Sequence, residues 1–224
     1  MHTSQRPLSK RERETSAGGI IEVHPPLAGQ PHAMTVHEPK LKVDMTAYTE
    51  QHRFMYDTIF DEGVGNRDVY RASAAPLISR VFEHGQSSTC FAYGATGAGK
   101  THTMMGTEEE PGLYILAARD IFELLATPAH ASLQLHVASY EIYGGKVFDL
   151  LSGRSMCPVR EDGKKKVNIV GLRETHGTRC TRPLCTHAHS HASSRLVTLS
   201  RDSRLPPRRS SDNGGIPCSV GRCE

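Results

Sequence analysis

The stretch CFAYGATGAGKTHTMMG, Cys90 to Gly106, decides how the chain is read. Gly94, four further residues and Gly99-Lys100-Thr101 spell G-x-x-x-x-G-K-[ST], the pattern of a phosphate-binding loop. Glycines let the backbone turn tightly enough for successive amides to point inward at the oxygens of a triphosphate. Lys100 then supplies a mobile positive charge for the outer phosphates, and the Thr101 hydroxyl can ligate Mg2+. The implied ligand is ATP or GTP. The plain alternative is a glycine-rich turn with an incidental lysine, and the flanks argue against it. Ser88 to Tyr93 reads as a short buried strand entering the loop and Lys100 to Met105 as a helix leaving it, the order the mechanism requires.

Working outward, Phe54 to Phe60 (FMYDTIF) alternates like a strand, and Ile20 to Val23 and Thr35 to Val43 read as edge strands or a hairpin broken by prolines. Asn66 can cap a helix from Arg67 to Phe82, with Val69, Leu77, Ile78, Val81 and Phe82 on one face and a kink expected at Pro76. After the loop, Thr107 to Gly112 (TEEEPG) is an acidic turn, and Leu113 to Leu125 has helical spacing. Leu133 to Tyr143 alternates as a strand, Lys146 to Leu151 continues it after a turn, and Val167 to Leu172 is the last apolar run. Strands and helices interleaved around a phosphate loop predict an α/β fold with a central sheet covered on both faces.

Composition divides the chain. All seven Tyr and all six Phe lie between Tyr48 and Phe148, and residues 175–224 hold eight Arg, no Lys and three acids. That segment therefore carries +5 of the net +3, the first 174 residues summing to −2, so the charge does not mark a nucleic-acid-binding core. With so little apolar surface to offset its ordering entropy, the segment is expected to be disordered. No secretory signal or membrane-spanning apolar run is present, and the six Cys are scattered, which points to a reducing, cytoplasmic setting. Cys180, Cys185, His187, His189 and His191 fit no zinc spacing and read as an accidental cluster.

FAYGATGAGKTHTMMG, the FDE at Phe60 to Glu62, EPGLY at Glu110 to Tyr114 and SYEIYGGKVFDLL at Ser139 to Leu151 together resemble a kinesin motor domain. VHEPKLKVDMTAY, Val36 to Tyr48, resembles the extended second loop of the internal-motor kinesins, the thirteenth family, whose members use ATP to release tubulin from microtubule ends rather than to walk. The resemblance implies a phosphate-loop NTPase fold of kinesin type, partial here. Gly94, Ala95, Thr96, Gly97, Ala98, Gly99, Lys100 and Thr101 would hold ATP, with Thr101 on Mg2+, His102 against the adenine and Pro7 on its other face. Arg6 fills the second of two arginine places before that proline, and Ser4 stands at the first. Lys42, Val43 and Asp44, together with Lys164, Lys165 and Lys166, would face tubulin. The microtubule cytoskeleton is the implied location.

The resemblance covers roughly residues 6–174, a partial motor domain, with 175–224 expected to be unrelated to it. It implies that the chain starts within the family's first, central strand. It also implies two later switch motifs, N-x-x-S-S-R-S-H and D-L-A-G-S-E, which do not occur in the 224 residues. His191-Ala192-Ser193-Ser194-Arg195 echoes the first and is read as coincidence. No residue fills the water-activating role, so weak hydrolysis is expected. Three functions compete: a fragment of a microtubule-depolymerising ATPase (or of a walking kinesin), a non-catalytic tubulin-binding module, and an unrelated phosphate-loop enzyme such as a small-molecule kinase. Tubulin-stimulated ATP turnover favours the first, nucleotide-indifferent tubulin binding the second, and ATPase insensitive to tubulin the third.

Overall fold

A computed structural model describes residues 1–14, 18–25, 31–130, 132–177 and 194–201. The chain divides into two units, Met1–Gly65 and Asn66–Glu224.

In the first unit, β1 (His2–Ser4) precedes a one-turn helix α1 (Lys10–Glu14), followed by β2 (Ile21–Val23), β3 (His32–Leu41), β4 (Ala47–Tyr56) and β5 (Thr58–Phe60). Antiparallel β2, β3 and β4 form one sheet, and β5 pairs in parallel with β1. The FMYDTIF run is therefore two strands: Phe54 to Tyr56 ends β4, and Asp57 separates it from β5. The second-loop stretch is a regular hairpin rather than an irregular loop, its ladder running from His32 opposite Tyr56 to Leu41 opposite Ala47. Pro39 does not break β3. Past His37, β3 pairs with β4 alone among the described residues, so its other edge at Pro39 tolerates a missing N–H. Ala33 on β3 and Ile59 and Phe60 on β5 are the buried apolar residues among those described in this unit.

The second unit opens with α2 (Asn66–Ser73) and α3 (Ala75–His84). The single kinked helix expected over 67–82 is two helices, because Pro76 sits in the first turn of α3, where its missing N–H costs nothing. Gly85 closes α3 in the left-handed conformation, donating to Val81 O. Then come α4 (Lys100–Met105), α5 (Leu113–Leu125), β6 (Leu133–Tyr143), β7 (Lys146–Asp149), β8 (Ser155–Cys157), β9 (Val159–Glu161) and β10 (Val167–Ile169). α5 packs on α2, α3 and α4, burying Val69, Tyr70, Ile78, Val81, Met104, Leu113, Leu116, Ala117 and Ile121. Leu77 and Phe82 of the expected apolar face stay half-buried. The Tyr70 hydroxyl donates to Asp120, and burial pushes its pKa up, with that carboxylate adding to the effect.

One expectation needs correction. Ser88 to Tyr93 is not a strand: no ladder includes it among the described residues, and Phe91 and Tyr93 are exposed. Alternating apolar character fits a strand only where a neighbour supplies the ladder. The described strands pair in four sheets: β1 with β5, β9 with β10, β2 to β4, and the group built on β6.

Of residues 175–224, the structure describes 175–177 and 194–201. β11 (Thr175–Gly177) and β12 (Ser194–Arg201) both pair antiparallel with β6. β12 runs opposite Leu133 to Tyr140 over eight residues, while β7 pairs Tyr140 to Tyr143 and β11 pairs Leu135 to Val137. Because β12 and β11 share partners on β6, they take opposite edges. Ladder bonds to β6 hold residues 194–201 within a segment that composition alone marks as coreless. The Cys180, Cys185, His187, His189 and His191 cluster lies outside the described residues.

Candidate functional site

The phosphate loop is an exposed turn between a half-buried Gly94 and the short helix α4. Ala95, Thr96, Gly97 and Ala98 are all exposed, and Ala98 N donates to Ala95 O at 3.1 Å. Two positions require glycine: Gly97 at φ 80° and Gly99, the residue before α4, at φ 95°. Gly94 is tight for another reason, since a Cβ there would lie 3.3 Å from the Ala98 Cβ. Lys100 folds into the loop, its ammonium donating to Gly94 O at 2.7 Å and Ala95 O at 3.0 Å. Thr101 and His102 are exposed on α4. An exposed glycine-rich turn, a lysine already reaching into it and an exposed threonine at its end suit a polyphosphate and its Mg2+.

α4 is held from outside its own six residues. Met104 is buried at 2% exposure, Gly112 N donates to Met105 O at 3.2 Å, and Asn66 Nδ2 donates to His102 O at 3.0 Å. Glu110 accepts from Asn66 N at 2.6 Å and lies 3.7 Å from His102 Nε2. Asn66 is thus the first residue of α2, its own amide capped by Glu110, while its side chain serves α4 rather than α2. The long-range role of Asn66 and Glu110 leaves no local signal in the sequence; only the EPG turn and the helix start are visible there.

Pro7 belongs to the first unit, exposed between β1 and α1. Its neighbour Arg6 bonds Pro7 O at 3.1 Å and Glu12 Oε1 at 2.7 Å. Ser9 and Glu12 form a capping box at the start of α1, with Ser9 N donating to Glu12 Oε2 at 2.7 Å and Glu12 N to Ser9 Oγ at 3.3 Å. The Arg6 guanidinium first, and then the Ser9 bonds, lower the Glu12 carboxyl to about 2.

Lys42, Val43 and Asp44 form the tip of the β3–β4 hairpin, with Lys42 N donating to Thr46 O and Met45 N to Lys42 O, both at 2.9 Å. Asp44 is spent on the turn, accepting from Thr46 N at 3.0 Å, which lowers its pKa. Lys42 and Val43 project outward with no such engagement of their side chains, and Leu41 and Met45 extend the exposed apolar tip.

Lys164, Lys165 and Lys166 occupy the turn between β9 and β10, all exposed. Asp162 gathers this turn, accepting from Lys164 N at 2.8 Å and Lys166 N at 2.9 Å, and these amides lower its pKa. Asn168 Nδ2 adds bonds to Asp162 at 3.3 Å and to Lys166 O at 3.1 Å. Asp162 and Asn168 were not singled out by sequence reasoning, although an Asp opening a Gly-Lys turn is a recognisable signal.

Among the described residues, the group best placed to hold a metal is Glu38, Glu50 and His52, whose ligand atoms lie within 4.8 Å of one another. Lys40 already fills the cation's role there, its ammonium 3.0 Å from Glu38 and 2.5 Å from Glu50. Glu38 sits directly opposite Glu50 on the hairpin, so the lysine screens a like-charged cross-strand pair.

The kinesin motor domain family matches residues 5–197. The match continues past Glu174, where the resemblance was expected to stop, and takes in the His191 to Val197 string read as coincidence. The chain is 46% identical over 172 residues to the kinesin-like protein KIN-13A of Oryza sativa subsp. japonica, covering 76% of this chain and 20% of that protein. It is equally identical over 171 residues to KIF24 of Mus musculus (76% and 12%) and to KIN-13B of Arabidopsis thaliana (76% and 23%). The chain thus spans at most about a quarter of these relatives' length. A KIF14 dimer solved in a two-heads-bound state, with AMP-PNP and a microtubule, matches with a TM-score of 0.68 and 25% identity, covering 91% of this chain and 62% of that one. With the family model matched over residues 5–197, most of the chain, the chain belongs to the kinesin motor domain family.

Proposed function

We propose that this chain is a nucleotide- and tubulin-binding segment of a kinesin motor of the microtubule-depolymerising type, acting at the microtubule cytoskeleton. The observation that carries the reading is the loop at 94–101, with residues 95–98 exposed and the Lys100 ammonium bonded within it. Gly94 to Thr101 would hold Mg·ATP, Lys100 exchanging carbonyl partners for phosphate oxygens and Thr101 facing the Mg2+, while His102 would lie against the adenine. Lys42 and Val43 at one hairpin tip, and Lys164 to Lys166 at another turn, would meet tubulin, whose acidic surface favours lysine. The depolymerising type is supported by the likeness to KIN-13A and KIN-13B and by the regular β3–β4 hairpin with its outward Lys42 and Val43.

Turnover by this chain is expected to be weak, because neither N-x-x-S-S-R-S-H nor D-L-A-G-S-E occurs in it. A non-catalytic tubulin-binding role is the second reading, favoured by the two lysine turns, each built by its own Asp and not by the phosphate loop. Co-sedimentation with microtubules, run beside ATPase assays, tests both. Pelleting that falls when Lys42, Lys164, Lys165 and Lys166 are changed to Ala is expected, and pelleting indifferent to those changes would remove the tubulin assignment. Robust tubulin-stimulated turnover would replace the second reading with a competent motor.

A further inference from the structure

A helix of six residues does not hold its own geometry in water, since the cost of its first turn is spread over too few bonds. α4 carries Lys100 and Thr101, so whatever fixes α4 fixes the phosphate loop. Besides Gly112 N on Met105 O, two of its ties meet on one carbonyl. His102 O accepts Gly106 N at 2.8 Å from within the turn, and Asn66 Nδ2 at 3.0 Å from a residue 36 positions earlier. Asn66 is itself buried, at 5% exposure, and its backbone amide is held by Glu110 Oε1 at 2.6 Å, with the other carboxylate oxygen 3.7 Å from His102 Nε2. Glu110 is in turn fixed by its own turn. Its N donates to Thr107 Oγ1 at 3.1 Å, its O accepts Thr107 N at 2.8 Å, and the turn closes where the Gly106 and Gly112 backbones cross too closely for a Cβ.

We infer that Asn66 and Glu110 are positioning residues for the phosphate loop, clasping the His102 turn of α4 from the start of α2 and from the Thr107–Gly112 turn. They touch no phosphate. They determine where Lys100 and Thr101 point, and so how tightly nucleotide is held. The inference rests on the nucleotide-binding reading above, and it adds two residues that lie outside the phosphate-loop motif.

The test is Mg·ATP titration calorimetry on the full chain, well below its melting temperature, reading dissociation constant and stoichiometry separately. Asn66→Ala and Glu110→Ala are expected to raise the dissociation constant roughly tenfold with stoichiometry unchanged. Glu110→Gln keeps an oxygen for the Asn66 amide and is expected to stay within about threefold of the parent chain. Glu110 is more exposed than Asn66, so the Ala and Gln pair at that position remains informative even where Asn66→Ala fails to fold. A dissociation constant that does not move overturns the inference, as does a fall in stoichiometry alone, since a merely structural role lowers the folded fraction and leaves the remaining sites intact. Glu110→Gln as damaging as Glu110→Ala also overturns it. If the parent chain shows no Lys100-dependent binding, the nucleotide reading itself fails and the clasp's role goes with it, a result distinct from all of these.

Discussion

Single aspartates and glutamates do most of the shaping around the residues that the sequence marks as functional. Asp44 and Asp162 each bind backbone amides of the turn that displays lysines, so Asp162→Ala should disorder the Lys164 to Lys166 turn and weaken microtubule pelleting although no lysine is touched; Asp162→Asn, which keeps an accepting oxygen, should weaken it less. The Glu12 carboxyl, held at about 2 by Arg6, offers a pH test. A carboxyl with a lowered folded pKa contributes stability above its unfolded value and loses it as pH falls through the folded one. The order of α1 should therefore persist through pH 4.5 and be lost toward pH 2, as followed by the Glu12 side-chain carboxyl resonance in a pH titration, and Arg6→Ala should return that midpoint toward 4.5. Gly94, Lys100 and Thr101 stand out from spacing alone because the motif that singles them out is local. Asn66 and Glu110 were not, because 44 residues separate two groups that meet only in the fold.

At the level of elements, the clearest sequence readings are those whose burial pattern is complete within the element. Leu113 to Leu125 is a helix and Leu133 to Tyr143 a strand at the bounds their periodicity predicts. Ser88 to Tyr93 shows the converse, since a strand pattern has no meaning without an edge to pair with, and the sequence does not say which edge is present. The Thr107–Gly112 turn depends on Gly106, which has φ 77° and ψ −166°, a region open essentially to glycine, and a Cβ there would fall 2.1 Å from Gly112 N. Gly106→Ala should cost about 3 kcal/mol or more, read as a lowered denaturation midpoint, and should release Glu110 from Asn66 as well. On the β3–β4 hairpin, Lys40 is bonded to both facing glutamates, which raises its own pKa and lowers theirs. Lys40→Ala leaves Glu38 against Glu50 and should loosen the hairpin near neutral pH, measured as faster amide exchange over 36–52, while Lys40→Arg should not.

Across the whole molecule, composition separated residues 1–174 from the rest, yet β6 collects β11 and β12 from beyond that boundary. Apolar content averaged over fifty residues hides an eight-residue strand that needs only an open edge. Ending the chain after Gly177 should therefore lower the melting temperature relative to the full 224 residues, whereas a tail with no part in the fold would leave it unchanged. The family assignment stands on the match over residues 5–197, and the functional account stands on what the loop at 94–101 holds. The most direct test of that account is titration of Mg·ATP into the full chain and into its Lys100→Ala variant. The account predicts saturable binding at one site per chain, weakened on the order of a hundredfold by Lys100→Ala. Absence of binding, or binding that Lys100→Ala leaves unchanged, would contradict it.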